Sequence, residues 1–178
     1  MVTELALLQR AHVYDLQALT EIYDLYSPGL YRYAMRLIGD EDLAEECVAE
    51  TFSRFLATIK AGKGPESHLQ AYLYRVAHNW ITDLYRRQPP LPLEPEMVND
   101  KENDPSAAYA IEAERERVRK ALRLLTPEQR QVVVLKYLEN WRNQEIADAV
   151  NKPVGAVKAL EHRALRSLKR ILQKDESG

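Results

Sequence analysis

What is scarce in this chain narrows its class first. Its 178 residues include one cysteine, six glycines and two phenylalanines. A lone Cys47 excludes an internal disulfide, fits a reducing compartment, and sits near Leu43 and Phe55 as a small core residue does. Few glycines and no alternating β-branched runs argue against sheet and for an all-α protein. No apolar run reaches the roughly 18 residues that span a bilayer, and Met1-Val2-Thr3-Glu4 lacks a basic leader, so a soluble, cytoplasmic protein without membrane insertion is expected. There is no Gly-rich phosphate loop, no Cys/His metal spacing and no nucleophile elbow. The histidines at 12, 68, 78 and 162 are scattered, so no enzyme, metal or cofactor is expected.

The charge that is present is unevenly placed. The formal net charge is −2, but residues 1–87 hold nine Lys and Arg against twelve Asp and Glu, residues 88–105 one against five, and residues 106–178 fifteen against ten. A basic C-terminal part within an acidic chain is the footprint of a local nucleic-acid surface. Between the two lies QPPLPLEPEMVNDKENDPS, residues 88–106, with five prolines and five carboxylates. Repeated Pro blocks helix and sheet, which makes this a linker between two small helical domains, 1–87 and 107–178.

Capping signals divide the domains. A helix is expected from about Asp15 to Tyr26, a break at Ser27-Pro28-Gly29, and a helix to about Ile38. Gly39 ends it, and Asp40 caps a helix to about Lys60. After the loop AGKGPES (61–67), Ser67 or its neighbour opens a helix to about Arg87. A helix over about Ala107 to Leu125 follows the linker. Thr126-Pro127-Glu128-Gln129 then reads as a capping box with Pro at the first helical position, leading to a helix that ends near Leu138.

EIADAVNKPVGAVKALEHRAL, residues 145–165, reads as two helices joined by a tight turn at Asn151-Lys152-Pro153, a helix-turn-helix pattern. On the second helix, starting at about Val154, Val157, Leu160, Ala164, Leu168 and Ile171 share one arc. Lys158, Ala159, His162, Arg166 and Lys169 share the opposite arc, with Arg163 on its edge. Any surface helix carries cations on its wet face. Gly155 and Ala156 in the first turn, beside the tight turn, favour a helix whose backbone approaches phosphate while long donors reach base edges.

In LQAYLYRVAHNWITDLYRR (69–87), Leu73, Val76, Ala77, Trp80 and Leu84 form an apolar stripe. Arg75, Asn79, Thr82 and Arg86 line the opposite face, flanked by Tyr72, His78 and Tyr85. Cations and an amide among rings suit a strand with exposed bases, although tyrosines at helical spacing also serve as core residues with a wet hydroxyl.

LTEIYDLYSPGLYRYAMRLIGDEDLAEECVAETFSRF, AYLYRVAHNWITDLYRR, the acidic Pro-rich gap and LRLLTPEQRQVVVLKYLENWRNQEIADAVNKPVGAVKALEHRALRSLKRIL, in this order, resemble bacterial sigma factors of the extracytoplasmic-function group. The resemblance implies a factor that binds core RNA polymerase, recognises minus-ten and minus-thirty-five promoter elements as melted strand and duplex, and directs transcription initiation. It places minus-thirty-five contacts on Lys158, Ala159, His162, Arg163 and Arg166. Minus-ten contacts fall on Tyr72, Arg75, Asn79 and Arg86, with Lys63 in a base-capturing loop over about Ala61 to Ser67. Polymerase contacts fall on Asp42, Glu46 and Glu50. It implies an anti-sigma protein as a further partner, and a linker whose carboxylates mimic a phosphate backbone in the polymerase. Departures from the pattern are Ala49 where Gln is usual, Ala156 and Ala159 where Thr and Ser are common, Tyr72 for a Trp, and Leu160-Glu161-His162. A free-standing dimeric helix-turn-helix regulator is the alternative, and it predicts a palindromic site and binding without polymerase.

Overall fold

The computed structural model describes residues 3–88 and 107–177, all of whose regular structure is helical. The acidic segment and its five carboxylates therefore lie outside the described residues. The elements are α1 (Glu4–His12), α2 (Leu16–Ile38), α3 (Glu41–Lys60), α4 (Leu69–Arg87), α5 (Ala107–Arg123), α6 (Pro127–Val133), a π-helical turn (Val134–Leu138), α7 (Asn143–Val150) and α8 (Val154–Ser177).

Local caps set most boundaries. Asp40 Oδ1 accepts the Leu43 N–H at 2.9 Å to start α3, and Thr126 Oγ1 accepts the Gln129 N–H at 3.3 Å to start α6. Each satisfies a backbone donor that the first helical turn leaves free. Gly39 closes α2 at φ +74, which a side chain rarely adopts, and a Cβ there would also lie 2.9 Å from the Arg119 guanidinium.

Two expectations are corrected. The break at Ser27-Pro28-Gly29 does not occur, and α2 runs through Pro28. Proline removes one backbone donor, but Ile22 before it and Leu30, Tyr33, Ala34 and Leu37 after it are all buried, and keeping both halves in the core outweighs the lost bond. Gly29 is needed for close approach, since a Cβ would sit 2.5 Å from the Tyr74 hydroxyl. The second correction is α1, absent from the sequence reading. Thr3 caps it, Leu7, Leu8 and Ala11 are buried, and the Glu4 carboxylate accepts the Tyr26 hydroxyl at 2.8 Å and the Leu69 N–H at 2.9 Å. His68, at φ 54, gives α4 no side-chain cap. Glu4 supplies it from 65 residues away.

The N-terminal core gathers Ile22, Leu30, Tyr33, Phe55, Leu69, Leu73 and Ile81, and the C-terminal core Val132, Leu135, Ile146, Val157 and Ala164. Cys47 is fully buried within the first, where desolvation pushes its thiol up to about 12 and leaves it unreactive. The two cores meet at one seam, where Tyr74 of α4 packs edge-on against Trp141 with ring centroids 4.8 Å apart.

Candidate nucleic-acid interface

The helix-turn-helix forms as the sequence predicts. Asn151 ends α7 at φ 56, the Lys152 N–H reaches back to the Ala147 carbonyl at 3.1 Å, and the Pro153 carbonyl accepts the Ala156 N–H at 3.0 Å as α8 begins. Val157, Leu160 and Ala164 are buried, while Leu168 and Ile171 pack half-buried beside them. The opposite side of α8 is wet. Lys158, Ala159, His162, Arg163 and Arg166 are all exposed, and none of the four polar side chains has a hydrogen-bond or ion-pair partner among the described residues. Gly155 is exposed, and a Cβ there meets nothing within 4 Å, so the first turn of α8 is open to a neighbour.

Glu161 belongs to the scaffold. It accepts the Tyr137 hydroxyl and lies 3.3 Å from Lys136 Nζ, and both partners hold its carboxyl below the usual range. It fastens α8 to the π-helical turn on the flank of the exposed row.

The second expected face divides. Asn79 and Arg86 of α4 are exposed, as is Lys63 in the loop before it. Tyr72 is half-buried against Phe55, with ring centroids 6.0 Å apart. The loop turns at Gly62 (φ +75), where a Cβ meets nothing within 4 Å, and at Gly64 (φ +125). His12 Nε2 and the Pro65 carbonyl, 2.9 Å apart, pin it to α1.

Two side chains of the row, Arg75 and Thr82, and His78 beside it reach protein instead of solvent. Arg75 donates from Nε to the Ala149 carbonyl at 2.8 Å and from Nη2 to the Asp148 carbonyl at 2.6 Å, capping the C-terminal end of α7. A cation at that position meets the negative end of the helix dipole. Thr82 accepts from Arg130 Nη2 at 3.1 Å. His78, expected to flank a nucleic-acid face, is 2 % exposed. Tyr33 Oη lies 2.6 Å from its Nδ1 and the Pro127 carbonyl 2.8 Å from its Nε2. A carbonyl only accepts, so Nε2 carries the proton and Nδ1 accepts from tyrosine. Burial, then the nearby Arg130 charge, lowers the imidazole to about 3.

Further contacts at this seam escaped the sequence reading. The Arg123 and Arg130 guanidinium carbons lie 4.9 and 4.7 Å from the Tyr85 ring centroid. Arg36 of α2 and Glu139 of the second domain pair at 3.1 Å, and His68 faces Asp148 at 3.2 Å. Around them, a cleft of about 720 Å³ separates the α3–α4 loop, Tyr72 and Arg75 from Asn151, Lys152 and Pro153 of the helix-turn-helix.

On α3, Asp42 and Glu46 are exposed and Glu50 pairs with Arg54 at 3.1 Å. Their spacing of four sets them in one acidic row on an element otherwise packed into the N-terminal core. Ala49 is exposed beside them.

These features define a two-domain helical protein that presents a basic helix-turn-helix surface. Comparison with known proteins fixes the family. Residues 22–89 match sigma-70 region 2, and residues 115–168 match sigma-70 region 4. The ECF RNA polymerase sigma factor SigL of Mycobacterium tuberculosis is 30% identical over 154 residues, 85% of this chain and 87% of that protein. The ECF RNA polymerase sigma factor BldN of Streptomyces coelicolor is 30% identical over 173 residues, 95% of this chain and 66% of that protein. The structure of CnrH in complex with the cytosolic domain of CnrY shares the fold, with a TM-score of 0.71 at 22% identity, covering 97% of this chain and 98% of that one. The chain belongs to the extracytoplasmic-function sigma factors. It is an alternative sigma factor, which directs core RNA polymerase to promoters. No helix among the described residues is long and apolar enough to cross a membrane.

Proposed function

We propose that residues 1–87 hold core polymerase and read the melted minus-ten strand, that residues 107–178 read the minus-thirty-five duplex, and that residues 88–106 join them. The observation that carries this reading is the wet row of α8. Lys158, Ala159, His162, Arg163 and Arg166 are exposed on a helix whose other side is core, inside the segment that matches region 4. Ala159 leaves room between Lys158 and His162 for close approach of bases, and the cations contact base edges or phosphates. On α4, Asn79, Arg75 and Arg86 engage the separated strand with Tyr72 as a stacking ring, and Gly62 and Lys63 close over an extruded base. The acidic row Asp42, Glu46 and Glu50 meets basic residues of core polymerase, where complementary charge fixes partner and register. The factor acts in the cytoplasm, contributes no bond-forming chemistry of its own, and is held in check by an anti-sigma protein.

Charge reversal tests this assignment. The double variant K158E/R163E, with core polymerase, is expected to lose transcription from a duplex promoter while still competing for core. Unchanged transcription would overturn the placement of the minus-thirty-five surface.

A further inference from the structure

Glu161 is the only acidic residue from Val154 to Leu172, and it lies one residue from His162. A carboxylate beside a DNA face repels phosphate, so its place on α8 needs a cause. Both of its oxygens are taken by the π-helical turn. Oε1 accepts the Tyr137 hydroxyl, and Oε2 lies 3.3 Å from Lys136 Nζ. Lys136 Nζ also donates at 2.8 Å to Oδ1 of Asn143, the first residue of α7. One side chain of α8 is thereby joined through the turn to the start of α7. The two helices of the helix-turn-helix are tied by polar contacts as well as by the core beneath them.

The backbone of the turn accounts for this convergence. The Glu139 N–H bonds the Val134 carbonyl five residues back at 3.0 Å, one residue more than an α-helical bond spans. Successive side chains of an α-helix diverge by about 100°, and the wider turn lets the neighbours Lys136 and Tyr137 close on one carboxylate. Glu161 is 16% exposed and Lys136 28%, against 67% and 59% for the wet pair Arg115 and Glu112, so water competes less for the ammonium and the carboxylate. The arrangement also keeps Glu161 from a nearer cation. Lys158 lies three residues before it, a spacing at which helical charges pair. Lys158 is nevertheless exposed, with no ion-pair partner among the described residues.

We propose that Glu161 is a positioning residue for minus-thirty-five recognition: clamped by Tyr137 and Lys136, it fixes the rotation of α8 about its axis and leaves Lys158 free to read the duplex. The proposal rests on the assignment of the exposed α8 row to that element. A loosened α8 presents Lys158, Ala159 and His162 to the groove at several angles. Hydrogen bonds to base edges depend on direction and suffer from this, whereas the charge attraction to phosphate does not. The clamp therefore serves discrimination between sequences more than overall affinity.

The test compares holoenzymes, made from core polymerase and the full chain, in binding a duplex promoter library randomised over the minus-thirty-five element, with bound and unbound DNA sequenced. Lys136→Ala and Glu161→Ala change the net charge in opposite directions, so electrostatics alone lowers overall binding in the first and raises it in the second. The clamp predicts a shared effect. For ordinary readout the favoured sequence exceeds its single-base variants by about five- to 150-fold. In both variants that ratio should fall by about two- to fivefold, the range that one ion pair supports. Loss of folded chain scales all sequences alike and cannot lower the ratio. Tyr137→Phe keeps ring and charge, and its ratio decides the matter if either alanine variant gives no folded holoenzyme. A ratio equal to the parent's overturns the clamp. Failure of the underlying assignment reads differently, because the parent itself would then show no preference across the randomised positions.

Discussion

The imidazole of His78 is a buried strut between the two domains, donating from Nε2 to the carbonyl of Pro127, the first residue of α6, at 2.8 Å. Burial holds it neutral, with a value of about 3 against an ordinary 6.5. An unfolded chain binds a proton at this residue below about pH 6.5 and the folded one does not, so stability is lost as pH falls through that window. The charged or titratable groups facing the ring are Tyr33, whose hydroxyl bonds Nδ1, and Arg130, whose charge adds to the depression. Denaturant melts at pH 8 and pH 5 should differ by about 2 kcal/mol from this residue, at 1.36 kcal/mol per unit. In His78→Asn that difference should shrink. Glu139, whose burial raises its carboxyl above the usual range, works with opposite sign in the lower part of the window. An undiminished pH slope in the variant would contradict the neutral strut.

Glu4 caps a helix that its own segment does not contain. Glu4→Ala frees the Leu69 N–H and the Tyr26 hydroxyl and should cost about 0.5–2 kcal/mol, the usual range for losing an N-cap. Thermal or denaturant unfolding of the full chain measures this, and a neutral substitution would show that solvent replaces the carboxylate.

Gly155 separates fold from function within one residue. A Cβ there meets nothing within 4 Å and its backbone is not left-handed, so Gly155→Ala should stabilise α8 by roughly 0.5–1 kcal/mol. Gly155→Leu should still fold but weaken minus-thirty-five binding, because its side chain fills the approach to the first turn. Equal DNA binding by both variants would place the phosphate elsewhere.

Arg163 is exposed at the edge of the α8 row. Arg163→Ala is expected to weaken the cognate minus-thirty-five duplex by about 1–3 kcal/mol if the side chain reads a base edge in bidentate fashion. A uniform loss on every duplex identifies a phosphate contact instead, and no loss on any duplex removes Arg163 from the interface.

Asn79 is the exposed amide of α4. Asn79→Ala should leave closed-complex formation by the holoenzyme intact and reduce open complexes, measured by permanganate reactivity of unpaired thymines. Normal opening would refute its role on the melted strand.

What could be read from the sequence was governed by sequence separation. The Asp40 and Thr126 caps act across three residues, and the Asn151-Lys152-Pro153 turn closes within six, so α3, α6 and the helix-turn-helix were legible. So was the exposed row of α8, because its other side, Val157, Leu160 and Ala164, repeats at helical period. Pro28 misled because a local rule was overridden by burial on both sides of it. Helix α1 stayed hidden because its anchor, Glu4 to Leu69, spans 65 residues. The seam was illegible for a chemical reason as well: Arg75, His78 and Thr82 are the residue types a nucleic-acid face uses, and a helix C-terminus or a backbone carbonyl accepts the same donors as a phosphate. Periodicity tells which side of α4 is polar, and leaves open whether DNA or protein covers it.

The decisive measurement is transcription in vitro by purified core RNA polymerase from a randomised promoter library, with and without this chain. A sigma factor reading duplex DNA through α8 gives chain-dependent transcripts that share two upstream motifs at a fixed, asymmetric spacing, lost on charge reversal at Lys158 and Arg163. No chain-dependent transcripts, together with a shift of a palindromic duplex by the chain alone, would contradict that role.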